Sequence, residues 1–390
     1  MNRMMIRDQH QYSAKLKEYD GIYILKLNLN GAGFGAMLLQ TLNQIRYCER
    51  NKLLPVVNYD VSCESYYFDE NKGENMWAQY FAPVVTPFDF NLVSQMCNDP
   101  SYPLDFNDLQ NLDDEQMLRI CEHHQDSIYS FTFADWRTNR PKDIANWYAQ
   151  QRAKGHDVFS RYIRVNSEVQ NKVDDFYRLS FQGYQVLGIH IRGTDLMYAP
   201  PVSPAEYFPH VEKWLSAQTK PKIFIATDQA QYLDVFQQRY GDIVIAYDSS
   251  RSTNEIAPFN LKEIPPHKKG EDVLIDMLLL SKVDFLLKGA SAVGELVLYI
   301  NPTLASHDLS VDKRFAFGQD YGEGWNGGLQ SQTKPAWQLI KKQNLQQLNV
   351  DSNTQNQIQA FLYKYRPIYS PTTLFFKRVI RYFYKLVRFK

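Results

Sequence analysis

Short apolar runs and helical spacings divide the chain into recognisable units. YILKLNLN (23–30) has a strand pattern and is followed by GAGFGAM (31–37). A helix of apolar period, LLQTLNQIRYCERN, comes next, and a second strand, LLPVVNYD (53–60), completes a βαβ unit. From about residue 183 four more strand-like runs appear: YQVLGIHIRG (184–193), KIFIATD (222–228), DIVIAYD (242–248) and VDFLLKG (283–289). Helical patterns separate or follow them over 204–215, 229–241, 270–281 and 291–301. Strands rich in β-branched residues that alternate with helices predict a parallel sheet covered on both faces. Between the two regions, residues 61–165 read as short helices and loops. Two aromatic stretches there, 66–81 and 133–148, suit either a carbohydrate-contacting surface or core elements.

A length of 390 residues points to two domains and a tail, with boundaries drawn at 1–165, 166–330 and 331–390. The fold class expected from the pattern is α/β. An aromatic share of 14% can build large cores and line sugar sites. Lysine plus arginine equal aspartate plus glutamate at 43 each, so no net field selects nucleic acid as a partner. Four scattered cysteines, Cys48, Cys63, Cys97 and Cys121, form no CxxC and read as reduced thiols of a cytosolic protein. The first twenty residues lack the apolar run of a signal peptide, and no stretch approaches the ~20 apolar residues of a membrane span. The expected location is cytoplasmic, with substrate met there or at a membrane face.

Ligands of parallel α/β sheets sit beyond the C-terminal ends of the strands. Here those ends are polar and small: His190 to Asp195, Thr227 and Asp228, Asp248 to Arg251, and Gly289 to Ser291. The loop at 31–36 fits G-x-G-x-x-A between a strand and a helix, with Asp60 at the end of the next strand. This pattern lets a backbone approach a pyrophosphate at a helix start. It is satisfied by a nicotinamide or flavin dinucleotide, by a sugar nucleotide, or by a tight turn that binds nothing. In GIHIRGTD (188–195), His190 and Arg192 point to one face of an extended segment. Arg192 offers a fork suited to phosphate oxygens, and His190 can reach a ribose or base. The alternative is a structural pair bonded to neighbouring loops.

Three segments together resemble the fucosyltransferases that include the core α1,6-fucosyltransferase of N-glycans, the rhizobial nodulation fucosyltransferase and, more loosely, the protein O-fucosyltransferases. NLNGAGFGAMLLQ resembles their N-terminal G-x-G-[FY]-G turn, and GIHIRGTD their H-x-R-R-T-D segment. KIFIATDQAQYL and EDVLIDMLLLSKVDFLLKGASAVGELVLYI follow in the family's order and at similar spacing. The resemblance implies a GT-B fold of two Rossmann-like domains facing across a cleft, and an inverting, metal-independent transfer from GDP-fucose. It implies that Arg192 holds the β-phosphate, that His190 and Asp276 bind the guanosine, and that Asp228 supports the donor site. It further implies that Ser291 completes a phosphate cradle, that Gly33, Phe34 and Gly35 approach the donor from the other domain, and that Tyr207 in SPAEYF contacts substrate. The chain departs from the family motif at Gly193, where the second arginine stands, and at LMYAPP, which lacks the following Lys and Glu.

An inverting transfer needs a carboxylate near the acceptor hydroxyl. Asp195 is the nearest to the strand ends by sequence, with Glu206 next, and Asp195 can equally bond its own loop. No HExxH, spaced Cys/His set or D-x-D suggests a metal, and none is expected. The tail from Leu374 to Lys390 carries six cationic residues and no acidic one around an apolar helical face. It reads as a basic amphipathic helix for an anionic membrane surface, or as a closing helix. The resulting expectation is a fucosyl transfer from a nucleotide sugar to a saccharide or lipid-linked glycan acceptor, such as a capsule or lipopolysaccharide. Its alternatives are a transferase of another nucleotide sugar, an NAD(P)-dependent oxidoreductase using the 31–36 loop, and a non-catalytic saccharide-binding relative.

Overall fold

The computed structural model of the chain describes Tyr12 and residues 14–27, 33–98, 144–194, 202–254 and 256–310. All of these belong to one compact unit. The tail and its expected helix lie outside the described residues, as do Asp195, Cys121 and most of the aromatic stretch 133–148.

Two parallel sheets organise the described chain. Strand β1 (Gly21–Leu25) pairs with β2 (Leu53–Val57), Gly21 opposite Leu53 and Leu25 opposite Val57. Parallel neighbours need a crossover, and α1 (Phe34–Arg50) supplies it. Its Leu38, Leu39, Leu42 and Ile45 are completely buried in one cluster with Ile22 and Val56, each contributing about 1.5–3 kcal/mol by burial. The short α2 (Met76–Tyr80) and α3 (Phe90–Cys97) follow, capped by the side chains of Asn75 and Asp89. Tyr67, Trp77 and Tyr80 of the aromatic stretch 66–81 are buried. Those three are core, not a sugar-facing surface.

Helices α4 (Ile144–Tyr162) and α5 (Ser167–Ser180) lead to the second sheet. It comprises β3 (Gln185–Ile191), β4 (Pro221–Thr227), β5 (Val244–Ile245), β6 (Phe285–Lys288) and β7 (Ser306–Asp308), in the order β5-β4-β3-β6-β7. Every pairing in it is parallel. Central β3 alternates cleanly. Leu187, Ile189 and Ile191 join the cluster of Tyr207, Val211 and Phe236 from α6 (Pro204–Leu215) and α7 (Ala230–Tyr240). Val186 turns to the opposite cluster, with Leu274, Ile275 and Leu279 of α8 (Pro266–Leu280) and Leu296 of α9 (Ala292–Ile300). His190 follows Val186 at even spacing and so leaves β3 on the α8–α9 side.

The expected α6 coincides with the observed one, and α7 and α9 agree within a residue at each end. The expected strand 242–248 shrinks to two residues, because the chain leaves the sheet edge there. It crosses the end of β4, where the Ser252 amide donates to the Asp228 carbonyl at 2.9 Å and the Ala230 amide to the Ser252 carbonyl at 2.9 Å. This detour carries Ser249, Ser250 and Arg251 towards the strand ends.

Candidate active site

The C-terminal ends of β3, β4 and β6 and the starts of α1 and α9 converge. Asp228, just after β4, organises the segment that follows β3. Its carboxylate accepts from the Gly193 amide at 2.7 Å, the Thr194 amide at 3.3 Å and the Thr194 hydroxyl at 2.6 Å. The same carboxylate lies 3.2 Å from Arg192 Nη1. Arg192 also sits 5.8 Å from the ring centre of Phe259, within reach of a cation–π contact. Phe259 in turn packs on Tyr66 at 4.9 Å. The arginine is thus fixed on two sides while its side chain remains about a quarter exposed. Gly193 fills a tight spot, since a Cβ there would lie 2.6 Å from the Tyr232 ring. A side chain at this position would have to displace the Tyr232 ring and Gln229.

The glycine loop reaches the same place from the other sheet. Gly33 precedes α1, and the Phe34 amide donates to the Tyr67 hydroxyl at 2.8 Å. The Phe34 ring is buried between Tyr67 and Tyr80, at 5.3 and 5.2 Å, so its side chain anchors the turn. Gly35 touches the start of α9: a Cβ there would lie 3.0 Å from both Ala292 Cβ and the Val293 nitrogen. The two helix N-termini therefore meet, a geometry in which their partial positive charge favours an anion. Ser291 caps α9, its hydroxyl accepting from the Val293 amide at 3.2 Å.

Further in lie buried polar atoms short of partners: His190 Nδ1, and Arg251 Nε near the Asp276 carboxyl, which also faces the Ser249 hydroxyl. Buried polar atoms are normally paired, so each of these is a place where something else could bond. Burial, with Arg192 and Lys288 nearby, holds the His190 ring far below its ordinary value, at about 3. The imidazole is neutral at physiological pH. Burial pushes the Asp276 carboxyl up to about 7, against the pull of Arg251. Arg251 is oriented by the carbonyls of Ser249 and Tyr247, at 3.0 and 2.9 Å. Asp272 holds this stretch to α8 by accepting the Ser250 amide at 2.8 Å.

Two expected substrate residues are engaged elsewhere. Tyr207 is fully buried, and its hydroxyl donates to the His190 carbonyl at 3.1 Å. Glu206 caps its own helix, accepting the Ser203 amide at 2.8 Å and hydroxyl at 3.0 Å. Asp60, the acid that a dinucleotide fingerprint assigns to a ribose, accepts from the Ser62 amide at 2.9 Å and from Asn58 at 2.9 Å. It stabilises its own turn. Sequence reasoning missed the contributions of Tyr67, Phe259 and Lys288. Tyr67 lies in the aromatic stretch 66–81, and Lys288 left a signal as a lysine ending the apolar run VDFLL. Among the described residues, no group of three or more His, Cys, Asp or Glu side chains is arranged to hold a metal ion.

The fold and site define a parallel α/β protein in which two helix starts meet near the strand ends, with buried polar atoms short of partners in the same unit. The chain belongs to the Nodulation protein Z (NodZ) family, whose pattern it matches across residues 32–322. It is 25% identical over 314 residues to Nodulation protein Z of Bradyrhizobium diazoefficiens, covering 74% of this chain and 82% of that protein. It is 22% identical over 286 residues to Nodulation protein Z of Sinorhizobium fredii, covering 67% and 85%. Among solved structures it is similar to NodZ α1,6-fucosyltransferase soaked with GDP-fucose, at 18% identity and a TM-score of 0.42, covering 72% of this chain and 92% of that one.

Proposed function

We propose that this protein transfers L-fucose from GDP-fucose to a saccharide acceptor, with inversion and without a metal, across the cleft of a GT-B architecture. The observation that carries the reading is the junction of the α1 and α9 starts beside a clamped arginine, in a chain of the NodZ family. Gly33, Gly35 and Ser291 cradle the diphosphate with backbone amides, and Arg192 neutralises the leaving β-phosphate. His190 and Asp276 take the nucleoside, joined by Ser249 and Arg251. Asp228 acts through Arg192, Gly193 and Thr194 by fixing their geometry. Asp195 serves as the base that takes the acceptor proton, because the Glu206 carboxylate is bonded to Ser203.

The donor assignment has a direct test. GDP and GDP-fucose are expected to raise the melting midpoint in the absence of added metal, since a ligand that binds only the native state stabilises it. EDTA is expected to leave turnover unchanged. Stabilisation by UDP or NAD but not by GDP would reject the assignment.

The tail belongs to the same reading as an attachment to an anionic leaflet, next to a lipid-linked glycan acceptor. Each basic residue near such a surface contributes about 1 kcal/mol, and six of them with an apolar face suffice for reversible binding. Removing residues 370–390 is expected to leave activity on a free oligosaccharide and to weaken sedimentation with phosphatidylglycerol vesicles. A large loss of thermal stability with unchanged vesicle binding would make the tail a closing helix instead.

A further inference from the structure

Behind His190 lies a buried charge cluster to which the nucleotide reading gives no task. Lys288 ends β6 and is fully buried. Its ammonium lies 2.9 Å from Asp308 Oδ2 on β7 and 3.3 Å from Glu295 Oε2 on α9. Glu295, equally buried, is gripped by Arg152 of α4 through Nε at 2.8 Å and Nη2 at 3.2 Å. Two cations and two carboxylates thus join four elements. Such a group is weak support for stability as such, because removing its charges from water costs about what their attraction returns. Its location is more informative. In the parallel register of β3 and β6, Lys288 stands directly beside His190, so both side chains leave the same face of the sheet. They meet under Gly294, where a Cβ would lie 3.0 Å from Lys288 Cδ and 3.4 Å from His190 Nδ1. The α9 helix therefore rests on both side chains, and a methyl group at Gly294 would have to push them aside by a few tenths of an ångström.

We infer that Lys288, held by Glu295, Asp308 and Arg152, is a positioning residue that seats α9 over His190 and thereby presents the imidazole to the nucleoside of the donor. The inference rests on the proposed nucleoside contact of His190. Lys288 has no route to the ligand itself, being fully enclosed, so its influence passes through its neighbour.

The test is a double-mutant cycle on GDP affinity, measured by calorimetry. The variant Lys288→Met/Glu295→Gln/Asp308→Asn removes the lysine and both carboxylates together, so that neither is stranded, and leaves the charge of Arg152, whose side chain is 20% exposed, to solvent. It is expected to weaken GDP binding about tenfold in the parent and less than about twofold further beside His190→Ala, because contacting residues acting through one group are not additive. Equal losses in both backgrounds would overturn the positioning role, since a general loosening of the fold does not depend on His190. Gly294→Ala changes no charge and tests the same contact if the triple variant does not fold. It is expected to weaken GDP in the same non-additive way. Parent-like affinity in a folded Gly294→Ala protein would equally overturn the inference. His190→Ala with parent-like GDP affinity would instead remove the nucleoside contact and the positioning role with it, a result distinct from failure of Lys288 alone.

Discussion

Arg192→Ala is expected to lower kcat for transfer by more than about a hundredfold while the protein stays folded. In the proposed transfer the Arg192 guanidinium meets the charge that develops on the leaving phosphate, and losing one such contact costs on the order of 3 kcal/mol. The fold survives because Asp228 keeps its bonds to the Gly193 and Thr194 amides and to the Thr194 hydroxyl. Arg192→Lys is expected to recover little. An ammonium cannot both reach Asp228 and present two parallel donors to a phosphate, and it stacks less well over Phe259. Steady-state kinetics beside a melting curve decide the matter: a folded alanine variant with near-parent kcat would remove Arg192 from the chemistry.

The β3 segment shows why some of the site was legible in the sequence. A buried strand that runs through apolar residues and ends in His, Arg and Thr has few reasons to do so, because each is costly to desolvate unpaired. The structure puts His190 and Arg192 where that logic expects, at the end of the central strand. The glycine loop was legible for a related reason, since Gly35 is required by the approach of α9. Partners distant in sequence were not legible. Nothing around Tyr67 announces that its hydroxyl receives the Phe34 amide, and nothing around Asp308 announces Lys288. Helix α4 was hard to read because polar and charged residues are scattered along it, whereas α5 carries a legible apolar stripe at helical spacing, Val169, Val173 and Phe176. Tyr207 was misleading in the opposite sense. Its motif reads as a substrate contact, yet its side chain packs in the core and supports β3 from beneath.

Asp276 gives a prediction in which stability and binding move in opposite directions. In the free protein its carboxyl is raised from 3.8 to about 7, mainly by burial. The folded state therefore holds this proton more tightly than the unfolded chain does. Its contribution to stability is complete below the ordinary aspartate value and is lost as pH rises through about 7. Asp276→Asn cannot ionise, so the ligand-free variant is expected to melt above the parent at pH 8, with the difference disappearing near pH 4. Binding follows the other form of the group. A guanine edge offers neighbouring N–H donors, and an ionised carboxylate accepts both, whereas an amide turns one of its own donors towards them. The loss of a charge-assisted bond of about 1.5–3 kcal/mol corresponds to roughly tenfold to hundredfold weaker binding. GDP-fucose is the informative probe, because its doubly esterified diphosphate does not titrate near neutrality. Its affinity for the parent is expected to rise with pH and level off above about 7, while the variant stays weak and flat. Calorimetric titrations from pH 5.5 to about 8.5 span the transition. A parent profile without that rise, or an asparagine variant that binds GDP-fucose as tightly as the parent, would take Asp276 out of nucleobase recognition.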